Sequence, residues 1–73
     1  MEKQNTNAMS YRYYSTERPI NPGTFPTSRQ RPVKIVNFGT RQNIGGIKAW
    51  GYLEYLKPLS DDDQFTYDLV MIN

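Results

Sequence analysis

"IKAWGYLEYL", residues 47–56, decides the fold. Read with the two-residue period of a strand, it puts Trp50, Tyr52, Glu54 and Leu56 on one side. Ala49, Gly51, Leu53, Tyr55 and Lys57 take the other. Both sides are partly apolar. A single-layer sheet built on this strand needs a helix over one face, with a second segment, a partner or water over the other. Gly51 inside a strand marks a bulge or the close approach of another group. Trp50, the only tryptophan, is expected as a buried core anchor whose loss to alanine would cost roughly 3–5 kcal/mol. Tyr52 or Tyr55 is then the exposed contact.

Upstream, "VKIVNF" (33–38) alternates in the same way and reads as a second strand. "GTRQNIGG" (39–46) between the two is rich in turn formers, so an antiparallel hairpin with a bulged or irregular tip is expected. "YRYYST" (11–16) suits a short strand, with Tyr11 and Tyr13 on one face and Arg12 and Tyr14 on the other. Four of the five prolines fall within 18–32. That stretch cannot be a helix and should form an extended wrap anchored by Ile20 and Phe25. In "NPGT", proline at the second place and glycine at the third predict a type II turn over Asn21–Thr24.

Pro58 ends the long strand. Ser60 is then a natural N-cap, and Asp61, Asp62 and Asp63 stand where a helix start favours negative charge. A short helix near residues 61–67 follows, and "DLVMI" (68–72) reads as a last strand. The fold class is therefore small α+β: a three- to four-stranded, mainly antiparallel sheet with one short helix. The expected core is Ile20, Phe25, Val33, Ile35, Phe38, Trp50, Leu53, Leu59, Phe65, Leu69 and Met71. Residues 1–9 are polar without a period and read as a disordered tail. Residues 10–73 form one domain.

Composition excludes much chemistry. The 73 residues include no histidine and no cysteine. The usual acid–base catalyst, thiolate nucleophile and zinc ligands are therefore missing. Consecutive aspartates at a helix start diverge and form no cage, and the EF-hand pattern is absent. Glycines at 39–46 lack the Walker pattern and no helix follows them. No catalytic residue, cofactor or metal is assigned. No apolar run approaches the roughly 18 residues of a membrane span, and the first ten residues lack a secretory signal's apolar core. A cytoplasmic protein without a membrane partner is expected.

The charge is uneven. Residues 1–48 carry eight basic and two acidic side chains, residues 49–73 one basic and five acidic. Tyrosine, tryptophan and arginine dominate interface hot spots, and arginine interleaved with aromatics also suits nucleic acid. The partner-binding candidates are Tyr11, Arg12, Tyr13, Arg29, Arg31, Tyr52 and Tyr55. They point to a non-enzymatic module that binds a protein partner. The alternative is binding of single-stranded nucleic acid or DNA through the basic half. Homo-oligomerisation stays open, because so small a chain buries limited surface by itself.

The order of "YRYYSTERPINPGTFP" (11–26), "VKIVNF" (33–38) and "AWGYLEYLKPLSDDDQFTYDL" (49–69) resembles the large-polyvalent-protein-associated domains. These are small domains carried by conjugative elements and phages of Gram-positive gut bacteria. The resemblance spans roughly residues 11–70 by the order of its motifs. It implies an accessory role in element transfer, establishment or counter-defence, and no catalytic residues.

Overall fold

The alternation in 47–56 becomes one of the two inner strands of a four-stranded antiparallel sheet. The computed structural model describes residues 10–72, so the tail expected over 1–9 lies outside the described residues. The elements are β1 (Tyr11–Ser15), β2 (Lys34–Ile44), β3 (Ile47–Tyr55), α1 (Asp61–Thr66) and β4 (Leu69–Val70). They lie in the order β2-β3-β1-β4, and every paired neighbour is antiparallel. β1 and β2 both run against β3, so they are parallel to each other. The chain between them must cross β3, and the proline-rich segment makes that crossing.

The crossing shapes the core. Ala49, Gly51, Leu53 and Tyr55 of β3 are buried, and Trp50, Tyr52 and Glu54 between them are half-buried. Tyr13, Ile20, Leu53, Tyr55, Leu59 and Leu69 form one cluster, with Tyr11, Phe25 and Tyr67 against it. Small side chains decide which face the wrap covers. A Cβ on Gly51 would strike the Val36 carbonyl oxygen and lie 2.9 Å from Ile20 Cδ1. Only glycine lets Ile20 seat there.

Proline supplies no N–H, so the wrap is tied down by side chains rather than a ladder. Asn37 accepts from the Ile20 N–H (3.2 Å) and donates to its carbonyl (3.1 Å). The Tyr55 hydroxyl donates to the Pro26 carbonyl (2.9 Å), and Gln30 bonds both the N–H and the carbonyl of Lys57. Arg18 donates to the Tyr67 carbonyl and pairs with Asp68 (2.7 Å). The type II turn forms as expected: Thr24 N–H donates to the Asn21 carbonyl (3.0 Å), with Gly23 at φ +94°.

Helix α1 forms on its cap. The Ser60 hydroxyl accepts from the Asp63 N–H (3.1 Å), with three aspartates in the first turn. Its six residues include no buried one, and Phe65 is 84% exposed. The helix therefore covers no face, and the wrap takes that role.

Several expected core positions are corrected. Val33 (56% exposed) lies in the bend between the wrap and the edge strand, Ile35 (46%) lies on that edge strand, and Met71 lies past the end of β4. Trp50, Phe38 and Phe25 are half-buried. Trp50 alternates with the buried residues of β3 and stays half-buried, beside the start of the wrap. In its place Tyr13 (1%) and Tyr55 (0%) fill the core, with rings edge to face at 6.1 Å.

The hairpin also differs from expectation. Residues 39–44 continue β2, and the tip is the pair Gly45–Gly46 at φ +60° and +89°. This is the primed turn geometry that matches strand twist. The irregularity sits inside the strand, where Asn37 faces Gly51 but Gln42 faces Ala49. Beyond that bulge the hairpin curls across the sheet. Arg41 reaches the Thr16 carbonyl (2.9 Å), and a Cβ on Gly45 would lie 3.3 Å from Ile72 Cγ2.

Burial of the Tyr55 hydroxyl, reinforced by the Asp63 carboxylate, raises its pKa well above the ordinary tyrosine value. The folded state therefore holds this proton where the unfolded chain releases it, from about pH 10 upward. Folding stability should be intact below that pH and fall as pH rises towards the folded pKa. Urea unfolding from pH 9 to 11 checks this, by about 1–2 kcal/mol lost in the parent chain. The Tyr55→Phe variant should show a flatter decline, and an equal slope would exclude Tyr55 as the cause.

Candidate functional site: an aromatic and cationic sheet face

The face away from the wrap is built by the other half of each alternating strand. One row crosses all four strands: Val36 faces Tyr52, Tyr52 faces Tyr14, and Tyr14 faces Val70. The next row is charged, with Lys34 facing Glu54 and Glu54 facing Arg12. Tyr52 is the hub. Its ring lies 5.5 Å from that of Tyr14, 6.1 Å from that of Phe38, and 4.1 Å beneath the Arg12 guanidinium carbon.

Arg12 is fixed by three contacts. It pairs with Glu54 (2.6 Å from Nη2, 2.8 Å from Nε) and covers the Tyr52 ring. The neighbouring Tyr14 and then the Glu54 carboxylate push its pKa further up, and it is a permanent cation. Its side chain is 45% exposed, that of Glu54 only 14%. A guanidinium held over an aromatic ring and partly open to solvent is a preorganised contact for carboxylates, carbonyls or a further ring.

Trp50 stands opposite the bulge, where β2 offers no ladder partner. With Pro19, Ile20, Asn21, Asn37 and Gly39 it lines a cleft of about 220 Å³. Its Nε1 is enclosed and has no acceptor among the described residues. Buried indole N–H groups usually find a partner, and among the described residues this is the one buried side-chain polar atom without one.

The structure divides the seven partner-binding candidates. Arg12 and Tyr52 come together on the face just described. Tyr13 and Tyr55 are buried, and that corrects their role as exposed contacts: their hydroxyls bond the Leu59 N–H and the Pro26 carbonyl inside the core. Tyr11 packs against the core from the same side. Arg29 and Arg31 are exposed on the wrap. Arg29 lines a dent of about 50 Å³ with Pro26, Leu59, Ser60 and Asp63, so it does not join Arg12. Tyr14, Val36, Phe38 and Glu54 complete the face without having been selected from sequence. Their signal was the alternation itself, which places them on one side once β1, β2 and β3 are paired.

Among the described residues no three histidine, cysteine, aspartate or glutamate side chains gather as metal ligands. No helix among them is long and apolar enough to cross a membrane.

The fold and this face define a small α+β domain: a curled four-stranded sheet strapped on one side by a proline-rich crossing, with an aromatic–arginine hub on the other. The family described as Defence against restriction A C-terminal matches residues 8–73, and the chain belongs to that family. It is thus a domain of a phage defence-against-restriction system, and the expected association with phages and mobile elements holds at that level. No curated protein and no solved structure matches the chain significantly.

Proposed function

We propose that this domain is a non-enzymatic interaction module that binds a protein partner of the anti-restriction machinery through the Arg12–Tyr52 face. The observation that carries the proposal is the hub: the half-buried rings of Tyr52 and Phe38, backed by the buried Tyr14, with one fixed guanidinium, gathered on the sheet face away from the wrap. Tyrosine and arginine so arranged are the residue types that concentrate binding energy at interfaces. The absence of histidine and cysteine from the chain supports a binding role over a catalytic one. Kinship with the large-polyvalent-protein-associated domains would fit the same accessory role in counter-defence.

A photo-crosslinking amino acid at Tyr52, with a control at Phe65, tests this in phage-infected cells. A discrete set of protein adducts from position 52, absent from 65 and lost with Arg12→Ala, is the expected result. Adducts that disappear on nuclease treatment, or identical patterns from both positions, would overturn it.

A second reading is favoured by the exposed cations Arg29, Arg31, Lys34 and Lys48, none of them in an ion pair among the described residues. Such a set could track a nucleic-acid backbone. Oligonucleotide binding that drops steeply between about 50 and about 200 mM salt, and vanishes with Arg29 and Arg31 replaced by alanine, would establish it instead.

A further inference from the structure

We propose that the outer edge of β2 at Lys34–Asn37 is a second docking site, which takes an acidic, extended segment of a partner protein as a fifth strand. β2 ends the sheet and among the described residues pairs only with β3. A Cβ on Gly51 would strike the Val36 carbonyl oxygen, so the peptide groups of Val36 point towards β3. Alternation along the strand then turns those of Ile35 and Asn37 outward, where an added strand can bond them. Long edges of this kind are normally blunted by bulges. Here the bulge lies beyond Asn37 and leaves Lys34–Asn37 regular, while Val33 just before the strand turns its own N–H inward to the Glu54 carbonyl (2.7 Å).

Side chains specify the occupant. Ile35 is 46% exposed on the wrap side of the edge, and Val33, just before the strand, is 56% exposed. Apolar residues of a new strand would cover them. On the opposite side the charged row reads Arg12, Glu54, Lys34 across the three strands, alternating in sign. The next position in that row belongs to the added strand, and opposite charges facing across strands are favourable there. An acidic side chain continues the alternation, and exposed Arg31 two residues before Val33 adds a further cation. β2 itself carries Lys34 and Arg41 and no acid, so the edge repels a second copy of itself. The occupant therefore alternates apolar and acidic residues, as protein strands do. This site shares the Arg12–Glu54–Lys34 row with the Tyr52 face, but its strand-pairing groups at Ile35 and Asn37 are separate from the Tyr52 hub, so either can fail without the other.

The test uses the full chain, isotope-labelled, and a fluorescein-labelled heptapeptide alternating valine and glutamate. At low salt the peptide should shift the amide signals of Ile35 and Asn37 and leave those of the α1 residues unmoved. A peptide with lysine in place of glutamate should bind about tenfold more weakly, because charge pairing across strands reverses sign. Lys34→Glu, a surface change that leaves the core intact, should invert that preference. Ile35→Pro, which removes an outward N–H, should weaken the glutamate peptide while Tyr52→Ala should not. Equal affinity for the two peptides, or no binding up to about 1 mM, would overturn the proposal. So would an oligonucleotide that shifts Ile35 and Asn37 where the peptide does not.

Discussion

Replacing Tyr55 with alanine is expected to cost about 3–5 kcal/mol, the range for deleting a buried large aromatic side chain. Its side chain is fully buried in the central cluster. Truncation removes the ring that meets Tyr13 edge to face and strands the Pro26 carbonyl that its hydroxyl satisfies. A chain of this length has a total stability of about 4–11 kcal/mol, so the variant should sit near its unfolding midpoint in mild denaturant. Tyr55→Phe keeps the ring and loses the hydrogen bond, for about 0.5–1.5 kcal/mol. Trp50→Ala provides the contrast. Trp50 is half-buried and off the covered face, so its loss should cost about 1–2 kcal/mol, from partial burial. Urea unfolding followed by circular dichroism ranks the three. Trp50→Ala as damaging as Tyr55→Ala would mean that the core lies on the other side of β3.

Gly51→Ala is the second large effect, expected at about 3 kcal/mol, the upper end for overfilling a packed site. The new methyl group would meet the Val36 carbonyl oxygen, Ile20 Cδ1 at 2.9 Å and Asn37 Cα at 3.1 Å. Two of the three are backbone of the neighbouring strand and can yield only by opening the β2–β3 ladder. The third is the residue that seats the wrap, whose position Asn37 fixes through both of its amide atoms. The strap should therefore loosen together with the ladder. Combining Gly51→Ala with Ile20→Val should recover only a minor part of the loss, because the backbone clash remains. A Gly51→Ala variant within about 0.5 kcal/mol of the parent chain, the scatter of neutral surface changes, would exclude this close approach.

Both effects arise from side-chain size along one strand, and size is read directly from the residue types. Alternation in 47–56 and 33–38, proline density in 18–32, the glycine-containing turn at 21–24 and the Ser60 cap each act over a few residues. Each leaves a local signature, and each appears in the fold. The same alternation already placed Arg12 with Tyr14, and Tyr52 with Glu54, so half of the hub was readable strand by strand.

The choice between the two faces of β3 was not local. Both carry aromatics, and tyrosine suits core and surface alike because its hydroxyl needs only one partner. Tyr13 and Tyr55 could be buried because the Leu59 N–H and the Pro26 carbonyl, 46 and 29 residues away in sequence, arrive at their hydroxyls. Trp50 was left half-buried because Gly51 and Ala49 opened the opposite face to Ile20 and the strap. The sequence by itself determined the strands, the turn, the cap and the sidedness of each residue within its own strand, all consequences of short-range geometry. Tertiary structure alone decided which side became core and which became the Arg12–Tyr52 face, because that depended on where a proline-bound segment without its own ladder could find hydrogen-bond partners.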